Sequence, residues 1–191
     1  MAARRHLPGL ALAGACLPLA VAWLSAPSPN CSLAGGTGNY CYLFGWPRVW
    51  AWTALALPAG LVVAGVAALV PQRWVDAAIR GPATRTLLAP ERGALLALGP
   101  VVLAAAALAP PLFAGEVTAR ATVWAVLALP YLPFLAGSAA LFWLTGAVPG
   151  QVVTAALLPV GLAVAVAQAT WLLAIARAAY AVASYRNSAS E

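Results

Sequence analysis

Five apolar runs, each free of charge through its interior, dominate this sequence of 191 residues. They lie near 7–25, 49–70, 93–114, 121–145 and 151–175, and all but the first hold 22 or more residues. At a helical rise of about 1.5 Å per residue, such lengths match a hydrocarbon layer about 30 Å thick. Lipid offers backbone amides no partner, so a run that crosses it must be helical. The expected fold is therefore all-α: a polytopic transmembrane helical bundle of five spans, forming one integral membrane domain over residues 1–191.

Composition points the same way. The chain is 64% hydrophobic and only 7% charged, whereas a soluble domain carries roughly a quarter charged residues. Its charged set is ten Arg, four acids and no Lys. The arginines stand at the ends of apolar runs rather than along one stripe, which argues against a nucleic-acid partner. One His and four acids are too few for a bis-histidine haem, a carboxylate-bridged di-metal site or an ordinary zinc site. No metal or cofactor is expected. The chain also lacks a nucleotide-binding loop, a hydrolase elbow and a carboxylate pair, so no catalytic residue is assigned and no enzyme is expected.

Arginine placement orients the bundle. Arg4 and Arg5 precede the first run, and loop 71–92 carries Arg73, Arg80, Arg85 and Arg92, against Arg48 and Arg120 on the other side. Cytoplasmic loops collect arginine, which places the N-terminus and loop 71–92 in the cytoplasm and loop 26–48 outside the plasma membrane. Five spans then carry Arg177 and Arg186 to the outside, against that rule. The first run has a second reading as a signal peptide, although it is longer than a usual apolar signal core.

An internal similarity at an offset of 72 relates Arg48, Trp52, Leu55, Leu57 and Pro58 to Arg120, Trp124, Leu127, Leu129 and Pro130. It suggests two related helical hairpins plus a fifth helix, with the second and fourth helices parallel. Short links would make helices three, four and five antiparallel neighbours.

Cys31 and Cys41 flank a glycine-rich stretch of the outer loop, where a disulfide is expected to pin it. No Cys-x-x-Cys pair supports thiol-redox chemistry. Asn30-Cys31-Ser32 fits the glycosylation sequon by pattern alone. Tyr40, Tyr42, Trp46, Trp50 and Trp52, with Trp124, gather at one membrane level. They read as an interfacial belt, or alternatively as a ligand or interface cluster of aromatics. Pro58, Pro100, Pro130 and Pro159 fall within the runs and are expected to kink their helices. Gln168 stands out, because an amide in hydrocarbon seeks a partner on another helix. Gln72 to Arg80 reads as a short amphipathic helix on the cytoplasmic leaflet.

These features suggest a small non-catalytic integral membrane protein. Beyond the lipid bilayer, its expected partner is a membrane protein or a second copy of itself, the chain acting as an accessory, structural or assembly subunit of a membrane complex. The alternative is a membrane carrier or binding subunit for an apolar or aromatic small molecule.

Overall fold

The computed structural model describes residues 4–24, 46–113, 128–147 and 150–188, and all of the regular structure there is helical. In chain order the helices are α1 (Leu7–Leu24), α2 (Trp46–Ala68), α3 (Gln72–Ala78), α4 (Pro82–Leu88) and α5 (Arg92–Phe113). A 3-10 turn at Leu129–Tyr131 then leads into α6 (Leu132–Ala147) and α7 (Gly150–Ser188). By length and composition α7 contains one helix apolar enough to cross a membrane, Ala155–Ser188. Two bent pairs, α2 with α3 and α4 with α5, raise the count to three if each is one span.

The long helix α7 is the spine. Gly161, Val164, Ala165, Gln168, Ala169, Leu172, Leu173 and Ala176 are buried, which is the i, i+3, i+4, i+7 pattern of one helical face. Against it pack α1, α5 and α6. On α1 the buried positions are Ala13, Cys16, Ala20 and Leu24, and the shared core adds Leu87, Phe134 and Leu141. Most of these residues are small, so the backbones approach closely and dispersion contacts replace the bulk of a soluble core.

Helix α2 is peripheral, packing chiefly on α1. A Cβ added at Gly14 of α1 would stand 2.6 Å from the Cβ of Val63. One added at Gly60 of α2 would stand 2.8 Å from the Ala11 carbonyl oxygen. Only hydrogen fits at either place, so these two glycines set the crossing. The outer side of α2, including Leu57, Leu61, Val62, Val66 and Leu69, is exposed.

Pairwise contacts fix the direction of each helix. His6, just before α1, reaches the carbonyl of Ala67 near the end of α2, so α1 and α2 are antiparallel. Gly9 lies against the Leu87 backbone, while Gly161 lies against Val21, so α7 is antiparallel to α1. Glu91, at the start of α5, pairs with Arg177 at 3.2 Å, and Gly93 lies against the Tyr180 ring. The chain turns by 105° from α2 into α3 and by 80° from α4 into α5, laying α3 and α4 across one end of the bundle.

Three expectations need correction. First, Arg177 does not lie at the opposite end from loop 71–92: its ion pair with Glu91 puts it at the same end. Second, the run 121–145 does not cross from the far end to that end. Pro130 sits beside Gln168 and Gly137 beside Val164, so α6 starts deep in the bundle and climbs toward the far end, antiparallel to α7. Helices α5 and α6 consequently run the same way, and α6 runs opposite to α2. Third, the two hairpins related by the offset of 72 do not share a local structure. Pro58 lies inside the continuous α2, whereas its counterpart Pro130 lies in the 3-10 turn.

Candidate functional site

Polar side chains in the middle of the bundle converge on one place, the turn at Leu129–Tyr131. Proline at position 130 cannot donate to a helical ladder, and the chain there tightens into a single 3-10 turn. Carbonyls of this turn also face α7, and that of Leu129 already accepts the Leu132 N–H. Two side chains of α7 meet them. Gln168 Nε2 donates to the Pro130 carbonyl at 2.6 Å, and Trp171 Nε1 donates to the Leu129 carbonyl at 2.8 Å. Tyr131 in turn donates its hydroxyl to the Ala105 carbonyl of α5. The three donors stitch α5, the turn and α7 together at one depth. Gln168 Oε1 and Ser138 Oγ are buried there with no hydrogen-bond partner among the described residues. Nothing in this seam offers a nucleophile beside a base, so its chemistry is that of holding a break in place.

The second concentration of polar groups is at the end where α3 and α4 lie. Described side chains place Arg4, Arg5, Arg73, Arg80, Arg85, Arg92, Arg177 and Arg186 there, together with Asp76 and Glu91. His6 is fully buried at this end, with Nε2 3.3 Å from the Ala67 carbonyl oxygen. A cavity of about 410 Å³ opens between the 79–81 turn, α4, α5 and α7. Arg80, Arg85 and Arg177 line it with Glu91, while Ala94 and Leu173 are part of its apolar wall. Gly81 organises the entry to α4: its N–H donates to Thr84 Oγ1 at 3.2 Å, and that hydroxyl donates back to the Gly81 carbonyl at 3.0 Å.

The residues singled out in the sequence fare differently. Gln168 is 1% exposed and bonded across helices as expected. Pro130 lies at a helix break, while the helix continues through Pro58, Pro100 and Pro159. The short helix after Gln72 exists as α3, with Val75 buried beneath it and Trp74 exposed. Cys31, Cys41, Tyr40, Tyr42 and Trp124 lie outside the described residues, as do the side chains of Trp46, Trp50 and Trp52. Sequence reasoning missed Trp171, His6 and the Glu91–Arg177 pair. Trp171 carried a usable signal: it lies three residues after Gln168, on the same helical face.

The chain matches no family model, no curated protein and no solved structure. What fold and composition define is a class: among the described residues the structure is all-α, with one apolar helix long enough to cross a membrane, and up to three if the bent pairs are spans.

Proposed function

We propose that this chain is a non-catalytic integral membrane protein, an accessory or structural subunit of a larger membrane complex. The observation that carries the membrane reading is the charge-free middle of the bundle. Among the described residues charged side chains stand only at the end where α3 and α4 lie, and beyond it the exposed residues along α2, α5, α6 and α7 up to Val166 and Ala167 are apolar. A bilayer accounts for that distribution, because it forbids charge through its core and collects arginine on the cytoplasmic side.

In this reading α1, α2, α5 and α7 cross the membrane, and α6 rises from the middle toward the far end. An even number of crossings puts both ends of the described chain in the cytoplasm, with loop 26–48 outside. The buried position of α1 against α7 supports a retained first helix rather than a cleaved signal. The arginine conflict of the five-span topology disappears, since Arg177 and Arg186 join the other cytoplasmic arginines.

Two features support the subunit role. Among the described residues, the mid-depth donors of Gln168, Trp171 and Tyr131 are bonded within the bundle. The exposed face of α2 offers a long apolar surface to lipid or to another membrane helix. The test is crosslinking in native membranes, capture of the tagged chain and mass spectrometry. A stoichiometric membrane partner is the expected result. Recovery of the chain alone, after crosslinking and in mild detergent, would contradict the subunit role.

A further inference from the structure

We propose that the cavity between the 79–81 turn, α4, α5 and α7 is a phosphate-binding site, filled from the membrane by the headgroup of an anionic phospholipid. This rests on the membrane reading for the source of the ligand, but not for the phosphate chemistry.

The charge balance is the first argument. Three arginines line the cavity against a single acid, Glu91, which leaves a surplus of two positive charges. Glu91 is occupied by Arg177 at 3.2 Å. Among the described residues neither Arg80 nor Arg85 has a carboxylate within 4.0 Å. The other acid at this end, Asp76, accepts from Gln72 Nε2 at 3.1 Å. Two guanidinium forks facing one cavity without a counter-charge suit the planar, bidentate recognition of phosphate oxygens.

Shape is the second argument. A volume of about 410 Å³ is in the usual range of ligand pockets. Arg80 and Arg85 line the cavity from the turn and α4 and Arg177 from α7, while the buried Leu173 and Ala94 form its apolar side. A free anion has no use for the apolar side, whereas an amphiphile uses both. The level in the membrane also fits. Helices α3 and α4 lie across the bundle end, and Trp74, Tyr180 and Tyr185 are exposed at that end. Indole and phenol side chains favour the headgroup zone, where arginines meet anionic lipid.

The test uses the full chain purified from membranes in a neutral detergent. Retained lipid is counted by native mass spectrometry after addition of dioleoylphosphatidylglycerol or dioleoylphosphatidylcholine. The expected result is selective retention of phosphatidylglycerol, weakened about tenfold in Arg80→Gln/Arg85→Gln through loss of charge-assisted bonds. Arg4→Gln/Arg186→Gln, which removes the same charge outside the cavity, should retain the lipid as the unaltered chain does. Equal retention of the two lipids, or equal loss in both double variants, would overturn the site. A large excess of inorganic phosphate separates the sources. Failure to displace the lipid supports the headgroup, and displacement that depends on Arg80 and Arg85 overturns the lipid source. If the chain is not recovered in membranes, the membrane reading fails, and inorganic phosphate still tests the cavity.

Discussion

Gln168 and Trp171 do one job from successive turns of α7: they donate to the Pro130 and Leu129 carbonyls of the 3-10 turn. Interhelical hydrogen bonds inside a membrane are worth about 0.6 kcal/mol on average and up to about 1.7. Replacement Gln168→Leu should cost about 1 kcal/mol, read as a lowered unfolding midpoint in detergent. Since both donors hold the same turn, Gln168→Leu with Trp171→Phe should depart from additivity. Strict additivity would mean that the two bonds hold separate elements. The Glu91–Arg177 pair stands in contrast. Its side chains are 61% and 59% exposed, and such pairs contribute about 0–1 kcal/mol. Glu91→Gln should leave the unfolding midpoint almost unchanged; a large drop would show that the pair carries structural weight.

At the scale of helices, the crossing of α1 over α2 rests on two glycines rather than on any polar bond at mid-depth. Gly60→Leu should push a side chain into the Ala11 backbone and loosen α2 from the bundle, at a cost of about 1–3 kcal/mol. Protease sensitivity of α2 would report it. Gly65→Leu is the matched control, since a Cβ there meets nothing within 4 Å. Equal damage from both would refute the close-approach account.

Four apolar runs foretold their helices closely: 7–25 against Leu7–Leu24, 49–70 against Trp46–Ala68, 93–114 against Arg92–Phe113, and the start of 151–175 against Gly150. Hydropathy is a local property, so it marks a segment without regard to its neighbours. Helix direction is a property of pairs. The sequence could show that Gln168 needed a partner, but not that it lies beside the Pro130 carbonyl. That contact is what turns α6 toward the far end. The tail of α7 past Arg177 was open as an amphipathic extension. Residues 177–188 are too polar for a span, yet their alanines sustain the helix to Ser188, which the apolar criterion does not register. Of the candidate site residues, Gln168 and Pro130 were legible. The arginine cavity was not, because Arg80, Arg85 and Arg177 come together only when α7 returns to the end that holds α3 and α4.

For the whole molecule, the length of α7 and the placement of charge make one statement. Its 39 residues extend about 58 Å, well beyond a hydrocarbon core of about 30 Å. In the proposed topology the wholly exposed stretch from Arg177 to Ser188 is the part that emerges, on the side that carries loop 71–92. The central claim is therefore that α3 and the end of α7 share one side of a membrane. Single cysteines at Ala78→Cys and Ser188→Cys, each in a chain with Cys16, Cys31 and Cys41 replaced by serine, test it directly. They would be labelled in intact cells with an impermeant maleimide, and Thr37→Cys would serve as the external reference. The account predicts that Thr37→Cys is labelled at once, while the other two react only after permeabilisation. Labelling of Ser188→Cys in intact cells, with Ala78→Cys protected, would contradict it.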